Sequence, residues 1–377
     1  MRTALITQDF PPEVGGIETY SYELSLRFFE LFEEFLVVAP AKSDVQQVDR
    51  KLDFSVQRIP VPNTWLGWGA ITVLPPVIRR KNIDTLFHTQ WQTLPVSWFM
   101  KRNGLIETVA VAAHARELLF NPFEGVDTLA ASYEQYMRWL LSKGDLFFPV
   151  SRYTAGLLIE RGVDAANIEV VGNGTNPDFF YPRDASDLRK KLGIENRRVV
   201  LTVSRLVGRK GIDTVLRALP RVIQQFPDLI YLVAGEGEEE RPLKALAGEM
   251  GLENHVAFLG RIPYEQLPFY YSLCDLFVMP SKYTPPDVEG YGIVFLEANA
   301  CGKPVIGADT GGIPDAIVDG ETGFLVEPEQ PEELAEKMTW LLENQELARR
   351  LGKNGMQRVK KTANWNAVAQ KLFDKLI

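Results

Sequence analysis

The sequence predicts an α/β protein made of two doubly wound parallel sheets, and three observations carry that expectation. Short runs rich in β-branched and aromatic residues alternate with segments of helical period along the whole chain, as crossover-connected parallel strands require. The alternation restarts near residue 199, after a cluster of turn formers, so a second unit follows the first. The length of 377 residues is about two to three typical domains.

Taken in order, the first unit is expected to hold strands at residues 2–7, 35–39, 85–88, 108–113, 146–150 and 168–172, with helices over 17–31 and 128–141. Gly172-Asn173-Gly174-Thr175-Asn176-Pro177 and the charged stretch 182–198 then read as the hinge. Strands at 199–204, 231–234, 256–259, 276–280 and 304–307 build the second unit. The tail places Trp365, Val368, Leu372 and Ile377 at helical spacing. Domains are therefore expected at 1–178 and 179–360, with a last helix over 361–377 packing back on the first.

Composition narrows the function classes. Hydrophobic residues make up 46% and charged residues 24%, which is material for packed cores and not for a disordered chain. A net charge of -8 with no Lys/Arg-rich tail argues against nucleic acid as partner, because phosphate binding needs a basic stripe. Cys274 and Cys301 are the only cysteines and have no ligand spacing around them, so a reducing cytoplasmic location is expected. No window holds the ~18 uninterrupted apolar residues of a spanning helix, which leaves membrane contact to be peripheral. One stretch departs from the even charge: residues 59–106 carry Arg79, Arg80, Lys81, Lys101 and Arg102 against one acid, Asp84, together with Trp65, Trp68, Trp91 and Trp98. Such a mixture suits an anionic lipid surface.

Several loops stand where strands give way to helices. Gly15 and Gly16 follow the first strand; paired glycines let a backbone approach a ligand, and N–H groups at a helix start attract anions. No Lys-Ser/Thr follows, so this is not a Walker loop. The corresponding loop of the second unit, Ser204-Arg205-Leu206-Val207-Gly208-Arg209-Lys210-Gly211, offers cations beside glycines, which is what a diphosphate needs. Ala234-Gly235-Glu236-Gly237-Glu238 imitates a dinucleotide loop but carries Glu240 in place of its third glycine. Glu289 precedes two glycines and an apolar run, whereas Glu297 falls within that run as a helical residue. Eight residues of helix rise about 12 Å, too far for the paired carboxylates of a glycosidase, about 5 or 6.5–9.5 Å apart. Their spacing fits two ends of one elongated ligand. Gly311-Gly312 adds another turn after a strand, and His114 ends a strand of the first unit. No Asp-x-Asp occurs anywhere, so no metal site is expected.

Together these residues resemble the retaining nucleotide-sugar glycosyltransferases of the GT-B fold, the glycosyltransferase family 4 type. The run from Asp287 to Ala298 looks most like the subgroup that mannosylates phosphatidylinositol-type lipids. The resemblance covers essentially the whole chain and implies two Rossmann-like domains facing across a cleft. It implies His114, Arg205, Lys210 and Glu289 as catalytic residues. The implied donor-binding set is Gly15, Gly16, Arg205, Lys210, Arg261, Glu289, Gly290, Tyr291, Gly292, Ile293, Val294 and Glu297. Arg205 and Lys210 would hold the diphosphate, Glu289 and neighbouring N–H groups the sugar, and Glu297 the ribose. A GDP- or UDP-sugar donor, mannose favoured, and a lipid-linked or saccharide acceptor at the inner face of the cytoplasmic membrane follow, with neither cofactor nor metal. Thr175-Asn176 depart from the aliphatic-Asp pair usual in such enzymes. A sugar-nucleotide epimerase of the same architecture is the alternative; it would turn over its substrate without an acceptor.

Overall fold

The computed structural model describes residues 1–12, 15–43 and 45–377. The chain forms two compact units, Met1–Asn173 with Trp365–Ile377, and Gly174–Asn364. These divide at 173/174 and 364/365, where the sequence places the divisions at 178/179 and 360/361.

The first unit holds six parallel strands, β1 (Arg2–Ile6), β2 (Glu34–Pro40), β3 (Ser55–Ile59), β4 (Thr85–His88), β5 (Thr108–Ala113) and β6 (Leu146–Pro149), in the order β3-β2-β1-β4-β5-β6. The second holds β7 (Arg198–Val203), β8 (Leu229–Ala234), β9 (Val256–Gly260), β10 (Leu276–Met279), β11 (Val305–Ala308) and β12 (Gly323–Val326), ordered β12-β11-β10-β7-β8-β9. In each, the strand order reverses beside the first strand of the unit, and in open sheets of this kind ligands bind at the carboxyl ends of the strands there. Buried Val, Ile, Leu and Ala fill both faces of the central strands, because helices cover both sides of a parallel sheet.

Four elements differ from the sequence reading. The strand expected at 168–172 is only a bridge between Ile168 and Phe147. The edge strands β3 and β12 were not expected: Ser55–Ile59 alternates polar and apolar residues with little burial, and Gly323–Val326 opens on a glycine. The last helix is Trp365–Leu376, preceded by Gln345–Lys361. It packs on the first unit, where Phe373 meets Phe32 edge-on at 5.2 Å and Arg27 Nε donates to Asn366 Oδ1 at 3.0 Å.

The Trp and Arg/Lys mixture of residues 59–106 is not exposed as a whole. Trp91 is buried and Trp98 half-buried, whereas Trp65 and Trp68 are exposed. Arg79, Arg80 and Lys81 occupy the last turn of helix Leu66–Lys81, which sets them about 16–20 Å along the axis from Trp68. Lys81 is paired with Glu34.

Candidate active site

On the second unit the basic loop leaves the carboxyl end of β7 and reaches helix Ile212–Gln225. Its shape is imposed by glycines where side chains have no room. Gly211 has φ 68°, and a Cβ there would lie 2.0 Å from the Pro280 carbonyl oxygen. Gly235 and Gly237, the glycines of the imitation dinucleotide loop, press on the same segment: a Cβ on Gly235 would sit 1.7 Å from Ser204 O and one on Gly237 2.2 Å from Leu206 O. Those glycines buttress the loop carrying Arg205, and Leu206 N donates to Glu236 O at 2.9 Å.

The loop delivers Lys210 and Arg209 to Glu289. Lys210 Nζ lies 2.5 Å and Arg209 Nη1 2.6 Å from the same carboxylate oxygen, Oε2, and Arg209 Nε lies 3.0 Å from Asp287 Oδ2. Burial would push Glu289 upward, but Lys210 and Arg209 outweigh it and hold the carboxyl at about 2. Lys210 is buried, and burial lowers its ammonium against the opposing pull of Glu289. Arg205 is exposed and makes no ion pair among the described residues. Arg261 is also exposed, immediately after β9.

Glu289 itself is set by the Gly311-Gly312 turn after β11. Gly312 N donates to Glu289 O at 2.9 Å, and Gly311, at φ 54°, has that same carbonyl 2.5 Å from where a Cβ would be. Glu289 lies in the loop and Glu297 in helix Ile293–Ala300, which starts after Gly292 at φ 91°. Helical rise therefore separates the two acids only from Ile293 onward, and the 12 Å sequence figure does not apply to the whole run. Among the described residues no backbone carbonyl takes the N–H groups of Gly290, Tyr291, Gly292, Ile293 or Val294, so a row of donors stands at a helix start. Tyr291 is buried, with Arg358 beside it. Glu297 is buried, accepts the Tyr271 hydroxyl at 2.6 Å on Oε2, and is pushed up to about 7 by burial.

On the first unit, Gly15 caps helix Gly16–Leu31 and Gly16 opens it, with nothing within 4 Å of where a Gly16 Cβ would be. Glu13 and Val14 lie outside the described residues. The same helix carries Tyr20, whose ring meets His114 edge-on at 4.7 Å. His114 follows β5; burial lowers it to about 4 against a hydrogen bond to the Thr89 backbone, so the imidazole is neutral at pH 7. Its Nε2 is buried without a protein partner. The His114 backbone N–H donates to Glu117 Oε1 at 2.6 Å, and burial pushes Glu117 up to about 7. Gln90 Nε2 donates to Asp9 Oδ2 at 2.7 Å on the neighbouring strand ends.

The structure thus places Lys210, Glu289 and the 290–294 donors together on one unit, Arg205 and Arg261 on loops at the same sheet edge, and Gly15, Gly16 and His114 on the other unit. Arg209, one of the basic-loop cations expected to face a diphosphate, is paired here with Glu289, and Glu117 was not among the expected site residues. Arg209 was legible as part of the basic loop; Glu117, three residues after His114 at a helix start, had only a capping-type spacing to announce it. Among the described residues no three His, Cys, Asp or Glu side chains are grouped to hold a metal ion, and no helix is long and apolar enough to cross a membrane.

Comparison with known proteins shows the family. Residues 15–174 match the glycosyl transferase 4-like domain and residues 184–358 the glycosyl transferases group 1 family. The chain is 32% identical over 330 residues to the GDP-mannose-dependent alpha-(1-6)-phosphatidylinositol monomannoside mannosyltransferase of Mycolicibacterium smegmatis, covering 86% of this chain and 84% of that one. It is 30% identical to the Mycobacterium tuberculosis protein of the same name, covering 99% and 97%. Among solved structures, Anabaena HepE in complex with UDP superposes with a TM-score of 0.82 at 22% identity, covering 100% and 99% of the two chains. Sucrose-phosphate synthase from Thermosynechococcus elongatus gives 0.80 at 25% identity, covering 100% and 98%. The chain belongs to the group 1 glycosyltransferases of the GT-B fold, and it is an enzyme of glycosyl transfer.

Proposed function

We propose that the enzyme is a retaining, metal-independent mannosyltransferase that moves mannose from GDP-mannose to a lipid-linked acceptor of the phosphatidylinositol mannoside type. The observation that carries the donor side is the Lys210–Glu289–Arg209 cluster, in which both cations sit on Oε2 and Oε1 is the oxygen left for a sugar hydroxyl. The mannose and acceptor classes are supported by the names of the relatives at 30% identity or more over most of their length.

In this reading the bond from the anomeric carbon to the diphosphate oxygen breaks and leaves negative charge on the diphosphate. Arg205, Lys210 and the N–H groups of 290–294 stabilise that charge from fixed positions, the largest contribution expected in such a site. Arg209 acts with them by holding Glu289. The acceptor hydroxyl attacks from the leaving-group face, its oxygen bonds the anomeric carbon, and its proton passes to a diphosphate oxygen. Glu289 steadies the sugar, Glu297 Oε1 meets the ribose, and neutral His114 offers its free Nε2 lone pair to a sugar hydroxyl at the reacting centre. Gly15 and Gly16 give backbone room for the diphosphate, and Arg261 adds a cation at the sheet edge. Contact with the inner face of the cytoplasmic membrane is peripheral and anchored by Trp65 and Trp68.

Incubation with GDP-mannose and a phosphatidylinositol mannoside in EDTA should give mannosylated lipid and GDP. A strict need for added Mg²⁺ or Mn²⁺ would overturn metal independence. Conversion of the donor to another nucleotide sugar without acceptor would mark an epimerase.

A further inference from the structure

We infer that Glu117 is a positioning residue for His114: its buried carboxylate grips the His114 backbone N–H and holds the imidazole in place across a left-handed turn occupied by alanine. The inference rests on the assignment of His114 to the reacting centre.

The turn is unusual for the residue in it. Ala115 is fully buried at φ 83° and ψ -60°, a conformation that a Cβ disfavours and that persists only where neighbouring bonds over-determine it. Those bonds are visible. Glu117 Oε1 accepts His114 N–H at 2.6 Å, a charge-assisted bond when the carboxyl is ionised. The short helix Arg116–Leu119 behind the turn is itself pinned by side chains from elsewhere in the unit. Trp91 Nε1 donates to Glu117 O at 2.8 Å, and Arg161 Nη2 donates to Leu118 O at 2.6 Å. The imidazole is then confined by the Tyr20 ring edge and the Thr89 backbone, so Nε2 is its one uncommitted atom. Removing the Glu117 carboxylate lets the turn relax away from the left-handed region, and the ring loses the backbone that aims it.

The test uses the full chain with labelled histidine rings, which is tractable because only His88, His114 and His255 are present. In the wild type the His114 signals should stay those of a neutral ring down to about pH 5. In Glu117→Ala they should titrate towards about 6.5, the value of a solvated imidazole. Turnover should fall roughly 10²-fold with donor KM changed less than about threefold, as expected when a group at the reacting centre is misplaced. Glu117→Gln, whose amide oxygen still accepts the N–H, should keep turnover within about fivefold and leave the ring untitrated. Glycine takes the left-handed turn without strain, so adding Ala115→Gly to Glu117→Ala should restore at least about tenfold of the loss. Unchanged His114 signals in Glu117→Ala, a Gln variant as impaired as Ala, or no recovery on adding Ala115→Gly would each overturn the inference. If His114→Ala leaves turnover untouched while Glu117→Ala still releases the ring, the grip stands and the assignment of His114 to the reacting centre falls.

Discussion

Replacing Glu289 with alanine tests the electrostatic centre of the donor site, and its effect on stability can be worked from the geometry. The carboxyl is held at about 2 rather than its ordinary 4.5, which at about 1.36 kcal/mol per pH unit amounts to about 3 kcal/mol favouring the charged form. The general expectation for breaking a buried ion pair, about 3–5 kcal/mol, is of the same size. One effect limits the loss. Lys210, already lowered by burial, falls further without its partner and can shed its proton instead of remaining a buried charge. At about 2–4 °C per kcal/mol for a domain of this size, Glu289→Ala should lower the melting transition of the second unit by about 6–12 °C at pH 7. The sign with pH follows from a depressed carboxylate: its contribution is present above 4.5 and is lost as pH falls towards 2, so the difference between variant and wild type should shrink below pH 4. Calorimetry on the full chain reads both. The double variant Glu289→Ala/Lys210→Met should lose less than the sum of the singles. A melting point within about 1 °C of wild type at pH 7, or strictly additive losses, would refute the reasoning.

Three further outcomes are expected. Glu297→Gln removes a buried carboxyl raised to about 7; a raised acid makes the folded state bind its proton more tightly between 4.5 and 7, so wild-type stability falls with rising pH there. The variant should therefore gain up to about 3 kcal/mol over wild type at pH 8 and nothing at pH 4, while binding donor more weakly; parallel melting curves across that range would contradict this. Arg205→Ala and Lys210→Ala should each lower turnover roughly 10²–10³-fold, but only the Lys210 change should also reduce stability, since Arg205 is exposed; near-normal turnover in both removes them from the donor site. Vesicle sedimentation should show binding to anionic liposomes lost in Trp65→Ser/Trp68→Ser and kept within about threefold when Arg79, Arg80 and Lys81 become Gln, because the bases stand at the far end of their helix; the reverse pattern would move the membrane surface.

Much of the fold is legible in the sequence because buried parallel strands read as continuous apolar runs, as in Leu36-Val37-Val38-Ala39 or Leu229-Ile230-Tyr231-Leu232. The edge strands escape that signal: β3 is half-exposed and carries Gln57 and Arg58. The strand expected at 168–172 shows the opposite error, a β-rich run that finds one bridge and no ladder. At the site, loop chemistry points to Arg205, Lys210 and Glu289 one by one, but not to the pairing of Lys210 with Glu289. That pairing joins residues 79 apart and depends on Gly211 and Gly311 bringing their loops against neighbouring carbonyls. The part played by Glu117 was hidden for a related reason. Its role is carried by the backbone angle of Ala115, and sequence gives no sign that an alanine is left-handed.

The central claim is transfer with retention, and the anomeric signal of the new linkage tests it most directly. Proton NMR of the product formed from an α-linked GDP-mannose donor should show an α-linked mannosyl residue, with no covalent glycosyl-enzyme detected by mass spectrometry of the quenched reaction. A β-linked product would contradict retention, and a mannosyl group trapped on Glu289 would contradict attack from the leaving-group face.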